Sequence, residues 1–320
     1  MPKTERTLKT PRSLLDMLTY SRPAGSRAEV EFIKRFLAPL GCEIDGAGNL
    51  IKRIGSAPVL WSCHTDTVHS GKGGRQNVRV EAGKIKLARD SQSSCLGADD
   101  SAGVWLMSEM IRAEVEGLYI FHRGEEIGGI GSTYIAEETP ELLDGIRYAI
   151  ALDRKGFDSV ITYQGARCAS DTFAGALADA LGGDFEPDES GLFTDTANYA
   201  ELIPECSNLS VGYEHAHSAK ETLDVGFMLW LLPRLMRLDV SALPVARDPK
   251  ADPEWGDDWG QWPKGDAARK WETVSGWGTP AGSGDDYYRL LRLAESEPEI
   301  IADILLHYGI TPQEVERWKR

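Results

Sequence analysis

The sequence predicts an α/β fold: a mostly parallel mixed sheet with helices on both faces, plus a small helical appendage at the C-terminus. With 320 residues, 42% hydrophobic and 27% charged, the chain is long enough to bury one large core. After residue 100, short apolar runs alternate with segments of helical period, which is typical of parallel strands joined by helices. Beyond Leu243 this pattern ends, and five of the nine tryptophans stand among Gly, Asp and Pro. We therefore predict a main domain over residues 1–244, and a Trp-rich acidic linker with a helical appendage over 245–320.

Hydrophobic period, caps and turn residues place the individual elements. Ser26 and Glu29 form a helix start of the capping-box type, and Gly41 ends that helix. In chain order the sequence predicts helices at 13–21 and 26–40, strands at 49–54 and 59–61 paired through the turn 55–58, an edge hairpin at 78–81 and 84–87, a helix at 101–113, a strand at 118–122, a helix at 129–138, strands at 148–152 and 159–163, a helix at 172–181, a strand at 207–211, a helix at 223–238, and two appendage helices at 286–295 and 299–308.

Composition excludes several classes of partner. The formal net charge is −15, which argues against binding to nucleic acid or to an anionic membrane surface. No segment has the apolar core of a signal peptide or the run of about 20 apolar residues that a membrane span needs, so we expect a cytoplasmic protein. The five cysteines are scattered and never form a Cys-x-x-Cys pair, which fits neither a disulfide framework nor a thiolate zinc site.

Two adjacent acids, Asp99 and Asp100, stand between a glycine-containing turn and a helix start. Two buried carboxylates need a counter-charge, and a metal ion would supply it. An acidic helix cap, with Asp100 or Ser101 as the capping residue and Asp99 exposed, explains the same pattern. This segment alone does not decide between the two interpretations.

Further polar residues follow apolar strands, at the positions where open α/β sheets build their sites. These are His64 and Asp66, the pair Glu125 and Glu126, and Asp153. Imidazole and carboxylate ligands without thiolate suit zinc, and also allow cobalt or manganese. Together with Asp99 and a late histidine, they are more numerous than one tetrahedral ion uses. The sequence therefore predicts two Zn²⁺ ions (or Co²⁺ or Mn²⁺) that share a bridging ligand.

Five short motifs occur in a characteristic order: His64-Thr65-Asp66-Thr67-Val68, Leu96-Gly97-Ala98-Asp99-Asp100-Ser101-Ala102-Gly103, Glu125-Glu126, Asp153, and His217-Ser218-Ala219-Lys220-Glu221. In this order they resemble the co-catalytic di-zinc exopeptidases, which include zinc aminopeptidases, peptidase T and related carboxypeptidases and acylases. The resemblance covers about residues 13–238. It departs from the family at Asp153-Arg154-Lys155-Gly156.

The resemblance implies a role for each motif residue. Asp99 would bridge two zinc ions, His64 and Asp153 would complete one site, Glu126 and His217 would complete the other, Glu125 would be the general base, and Asp66 would orient His64. His215 competes with His217 for the last position, whereas His69 and His122 are treated as bystanders. The family geometry also implies a cis Asp99–Asp100 peptide bond.

These expectations lead to a lidless zinc-dependent exopeptidase, an aminopeptidase in the first instance, acting on peptides. Asp195 is the one late acid available to hold a substrate amino group. A deacylase acting on acylated amino acids, with Arg154 or Lys155 holding the substrate carboxylate, is the alternative within the same family. A non-catalytic scaffold that binds a partner through the tryptophans is a third possibility. The sequence does not give the oligomeric state.

Overall fold

The structure, a computed structural model, describes residues 9–250. The α-helices of this part of the chain are α1 (Arg12–Met17), α2 (Arg27–Phe32), α3 (Ala98–Arg112), α4 (Ile130–Glu138), α5 (Asp171–Leu181) and α6 (Val225–Leu235). The strands are β1 (Tyr20–Ser21), β2 (Glu43–Ile44), β3 (Leu50–Ile54), β4 (Val59–His64), β5 (Gly74–Arg75), β6 (Val78–Glu81), β7 (Lys84–Leu87), β8 (Gly117–His122), β9 (Tyr148–Arg154), β10 (Ser159–Ile161), β11 (Glu186–Asp188), β12 (Glu205–Ser210), β13 (Tyr213–Glu214) and β14 (Thr222–Asp224).

The main sheet has eight strands in the order β11-β10-β12-β9-β4-β8-β3-β2. Its centre, β12-β9-β4-β8, is parallel throughout. Antiparallel pairs occur only toward the edges of this sheet, where β10 meets β12, and where β3 meets β8 and β2. Every residue of β4, β8 and β12 is buried, as expected of parallel strands covered on both faces. The predicted fold class is confirmed.

Side chains that alternate along the central strands pack into two separate hydrophobic cores, one on each face of the sheet. On one face, Trp61 and Tyr119 join a large cluster with the buried side chains of α1, α2, α3, α5 and α6. On the other face, Leu60 and Leu118 join a smaller cluster with α4 and the short helical turns near residues 143 and 199. Helix α3 approaches β9 closely at Gly103, where a Cβ atom would collide with the carbonyl oxygen of Leu152. Glycine at this position therefore lets the helix that begins at the Asp pair pack against the sheet.

A second, antiparallel sheet has the strand order β13-β14-β7-β6. Strand β7 precedes the segment that leads to Asp99, and β14 pairs with it directly through Thr222 and Lys86. The loop between β13 and β14 carries His217. This small sheet therefore holds two segments that are far apart in sequence next to each other.

Most predicted elements are present, with three corrections. The predicted pairing of residues 49–54 with 59–61 is wrong, because β8 lies between β3 and β4 and hydrogen-bonds to both. The first helix ends at Met17, since residues 20–21 pair with β5. The last predicted helix begins only at Val225, because residues 222–224 form β14 and Asp224 caps the helix by accepting the N–H of Phe227.

The predicted appendage helices, and nearly all of the Trp-rich linker, lie outside the described residues. Between residues 9 and 250, no helix is both long enough and apolar enough to cross a membrane.

Candidate metal centre

The site residues come together at the carboxyl ends of the central parallel strands. His64 is the last residue of β4, Asp153 lies near the end of β9, and Glu125 and Glu126 follow β8. Asp99 joins them from the start of α3, and His217 from the loop between β13 and β14. The convergence predicted from strand ends is therefore present.

Asp99 lies between two imidazoles. Its Oδ1 atom is 3.1 Å from Nε2 of His64, and its Oδ2 atom is 3.1 Å from Nε2 of His217. These contacts lower the pKa of Asp99, even though burial opposes its charge. One carboxylate thus presents each of its oxygens to a different histidine, which is the arrangement that a bridging ligand requires.

Each histidine has a second carboxylate beside it. Oδ1 of Asp153 is 3.5 Å from Nε2 of His64, and Oε1 of Glu126 is 3.3 Å from Nε2 of His217. Both of these oxygens are buried and have no hydrogen-bond partner. The donor atoms of His64, Asp99 and Asp153 lie within 4.8 Å of one another, as do those of Asp99, Glu126 and His217. The two groups share Asp99.

The electrostatics of this cluster favour a cation. Burial raises the pKa of Glu126, and burial together with the charge of Asp99 raises the pKa of Asp153 to about 6. The hydrogen bond to Asp99 and the nearby carboxylate of Glu126 raise the pKa of His217 to about 11. The buried carboxylates of Asp153 and Glu126 therefore lack a sufficient counter-charge. Their oxygens without a hydrogen-bond partner require a ligand. The donors are nitrogen and oxygen only, so the residues fit zinc or a similar divalent ion.

Glu125 lies beside this cluster. One of its carboxylate oxygens is within 4.8 Å of donor atoms of His64 and Glu126. The pair stands on a turn in which the N–H groups of Gly128 and Gly129 donate to the carbonyl of Glu125. Burial raises the pKa of Glu125 well above its ordinary value. A carboxyl group with a raised pKa can hold a proton near neutral pH.

Asp66 contacts both His64 and the turn that carries the glutamates. The Nδ1 atom of His64 is 3.1 Å from the backbone carbonyl of Asp66 and 3.5 Å from its carboxylate. The same carboxylate accepts backbone N–H groups from Gly124, Glu125 and Glu126, each at 3.2 Å. Asp66 therefore fixes more of the site than the single histidine expected from the sequence.

Of the two acids at the start of α3, Asp100 acts as a helix cap and Asp99 faces the candidate metal site. Asp100 accepts the N–H of Gly103 at 2.7 Å, as a helix cap does, and the N–H of His64 at 3.2 Å. Asp99 instead turns toward the imidazoles. The Asp99–Asp100 peptide bond is cis, as the family resemblance implied.

Two bracing residues were not assigned a role from the sequence. Glu221, only 1% exposed, accepts the backbone N–H groups of Leu96, Gly97 and Asp99 at 2.8 to 3.0 Å. Its position at the end of the motif His217-Ser218-Ala219-Lys220-Glu221 is the sequence feature that could have indicated this role. Arg22 is fully buried and donates to the carbonyl of Thr65 and the hydroxyl of Ser101, which ties the end of β4 to the start of α3. Nothing local in the sequence marks Arg22.

Several other candidates are not among the proposed ligands. His215 belongs to none of the candidate metal-ligand groups, whereas His217 belongs to the group with Asp99 and Glu126. Arg154 donates to Ser190, so its guanidinium is engaged within the chain. Asp195 is 1% exposed and lies 3.3 Å from Nδ1 of His122, so its carboxylate is enclosed and does not face an open cleft. Asp195 is therefore a poor anchor for a substrate amino group.

No family model matches the sequence, and no curated protein matches it. Solved structures do match. Aminopeptidase PepT from Bacillus cereus aligns with 70% of this chain and 95% of its own, at 16% identity and a TM-score of 0.56. A tripeptidase from Staphylococcus aureus aligns over the same shares, at 16% identity and a TM-score of 0.58. The TET aminopeptidase of a marine sediment archaeon of the Thaumarchaeota aligns with 72% of this chain and 97% of its own, at 13% identity and a TM-score of 0.52.

At these identities the comparison establishes the fold. It agrees with the family resemblance read from the five motifs. The chain therefore has the fold of these aminopeptidases.

Proposed function

We propose that this protein is a zinc-dependent aminopeptidase that hydrolyses the first peptide bond of its substrates. The observation that carries the proposal is the position of Asp99, whose two oxygens each lie 3.1 Å from a different imidazole. Unpartnered oxygens of Asp153 and Glu126 flank it on either side. The fold shared with aminopeptidases supports the same function.

Two groups of residues that share Asp99 would hold two ions. His64, Asp99 and Asp153 would hold one, and Asp99, Glu126 and His217 would hold the other. When bound, such ions polarise a carbonyl group and lower the pKa of water, which is the chemistry that amide hydrolysis near neutral pH needs.

The protein's own groups supply the proton transfer. Glu125 is beside the cluster but belongs to neither of the two groups that share Asp99, so its carboxylate can take a proton from the attacking water. It can then give that proton to the leaving amine. The adjacent Glu126 points toward His217. Glu126 would therefore bind metal, while Glu125 would transfer the proton.

Access to the cluster is from the side of His217. The His64 side chain is 1% exposed, whereas the His217 side chain is 50% exposed. A substrate therefore approaches past His217, and the sheet closes the opposite side.

The engagement of Arg154 with Ser190 and Asp188 argues against a deacylase that would use this arginine to hold a substrate carboxylate, whereas the fold shared with aminopeptidases favours an aminopeptidase. The distinguishing experiment is hydrolysis of aminoacyl anilides, dipeptides and N-acyl amino acids, before and after metal removal and after zinc is restored. We expect metal-dependent cleavage of the substrates with a free amino group. Cleavage of the acylated substrates alone would replace this proposal with the deacylase, and activity that resists chelation would overturn both.

A further inference from the structure

The loop between β13 and β14 carries His217 and also Glu221, which hydrogen-bonds to the turn that carries Asp99. Four residues after that histidine, Glu221 sends its carboxylate into the turn that carries Asp99. Its Oε2 atom accepts the N–H groups of Leu96 and Gly97, and its Oε1 atom accepts the N–H of Asp99 itself at 3.0 Å. One side chain therefore joins the backbone of the proposed bridging ligand to the loop of the last ligand.

The backbone of Glu221 is well placed for this task. Its N–H donates to the carbonyl of Ser218 within the loop, and the next residue begins β14, which pairs with β7. His217 itself is half exposed and stands at a positive φ of 62°, and Glu221 ties its loop to the backbone of the turn that carries Asp99. The distance between Asp99 and His217 thus depends on Glu221.

The contact between Asp99 and His64 has independent support. The neighbouring Asp100 accepts the N–H of His64, and β4 holds His64 between β8 and β9 in the sheet. Loss of Glu221 therefore acts unequally on the two groups of ligands.

We propose that Glu221 is a positioning residue for the site formed by Asp99, Glu126 and His217. This inference rests on the proposed metal dependence. Glu221 touches no ion in this arrangement; it sets the distance between two ligands through backbone hydrogen bonds. Residues that orient ligands in this way typically contribute a factor of about 10 to 100 in metal affinity.

The test is a zinc titration of the metal-free full-length chain by calorimetry, with zinc content after dialysis as a second measure. In Glu221→Gln, an amide NH₂ replaces one acceptor and faces a backbone N–H. We expect one of the two binding steps to lose about 10- to 100-fold in affinity while the other changes little. Equal affinities for both steps in the variant and the wild type, or equal weakening of both, would overturn the inference.

Glu205→Gln is the matched control. Glu205 is also fully buried and accepts backbone N–H groups, from Ser170, Ala246 and Arg247, but it stands at the start of β12, at the opposite end of the strand from the site. It should lower thermal stability without changing either zinc step. A selective effect of Glu221→Gln against this control separates positioning from general destabilisation.

A measurement on the wild type covers the case in which the variant does not fold. The amides of Gly97 and Asp99 should exchange with solvent slowly in the metal-free protein, because Glu221 accepts both. Exchange at the rate of an open loop would contradict the inference. A wild type that binds no zinc would instead refute the proposed function itself.

Discussion

The carboxylate of Asp66 lies 3.2 Å from the backbone nitrogen of Glu126, and it accepts the N–H groups of Gly124 and Glu125 at the same distance. Asp66→Asn places an amide NH₂ against these donors. We expect turnover to fall by about 10- to 100-fold with the fold retained. Steady-state kinetics and circular dichroism measure the two quantities. Asp239→Asn, at an exposed acid that accepts two hydrogen bonds from Ser241, is the control and should leave turnover unchanged.

Replacement of Glu125 by Gln removes the proposed proton acceptor without removing a member of either three-residue group that shares Asp99. Turnover should fall by about 10² to 10⁴, the range that general acid and base catalysis supplies, while zinc content stays at the wild-type level. Kinetics and elemental analysis on the same sample test both parts.

Glu126→Gln is the partner variant, because Oε1 of Glu126 faces His217. It should lose zinc as well as activity. If Glu125→Gln lost the metal and Glu126→Gln kept it, the division of work between these residues would be reversed.

Removal of metal should lower stability. Without ions, the buried carboxylates of Asp99, Asp153 and Glu126 face one another with only two imidazoles between them. Ions present at about 100 times their dissociation constant stabilise the folded state by about 2.7 kcal/mol per site. Thermal unfolding with chelator and with excess zinc measures this difference, and identical melting temperatures would argue against the metal centre.

Acidification should destabilise the protein partly through His69. Burial lowers the pKa of His69 to about 4, and its ring nitrogens contact Thr67 and Gln76. An unfolded chain has a histidine pKa of about 6.5, so between these values the unfolded state binds a proton that the folded state does not. The contribution of this group is complete above pH 6.5 and is lost, by up to about 3 kcal/mol, as the pH falls toward 4.

Denaturant unfolding at several pH values compares the wild type with His69→Gln. The variant should show a shallower loss of stability in this window. His215→Gln, at an exposed position, should follow the wild type. Parallel curves for the wild type and His69→Gln would contradict the prediction.

The end of the main domain can be located by truncation. Arg247 is 6% exposed and donates to the carbonyls of Ala200 and Pro204, while the N–H groups of Ala246 and Arg247 donate to Glu205. A chain ending at Val245 should therefore be less stable than one ending at Lys250 by several kcal/mol, since a buried group left without its partner costs about 1 to 3 kcal/mol. Equal unfolding midpoints would place the boundary at residue 245, as the sequence pattern suggested.

Much of the candidate site could be predicted because its residues stand at the ends of recognisable strands. His64 and Asp153 end apolar runs, and Glu125 and Glu126 directly follow one. Strand order was less accessible. The turn between β3 and β4 looked like a hairpin, but β8 lies between these strands and pairs with both, and no local pattern reports which strand will be the neighbour.

The sequence motif points to Glu221 as a residue, but it does not reveal which backbone groups the bracing hydrogen bonds join. The N–H groups that Glu221 accepts lie 122 to 125 residues earlier in the chain, and a backbone donor has no residue type that could mark it. Arg22 likewise recognises the carbonyl of Thr65, which is a backbone acceptor. Side-chain ligands leave a pattern in the sequence, whereas the groups that aim them through the main chain do not.

The carboxylates of Asp66 and Glu221 each accept hydrogen bonds from three main-chain N–H groups. All residues except proline carry that group. These hydrogen bonds therefore place no demand on the identity of the side chains at positions 99, 125 and 126. Other ligand side chains could be substituted there while the backbone of the two turns keeps its conformation. Proline is the substitution that these hydrogen bonds directly exclude at residues 96, 97, 99, 124, 125 and 126. A library that randomises the ligands while keeping Asp66 and Glu221 would start from a backbone already shaped to hold an ion.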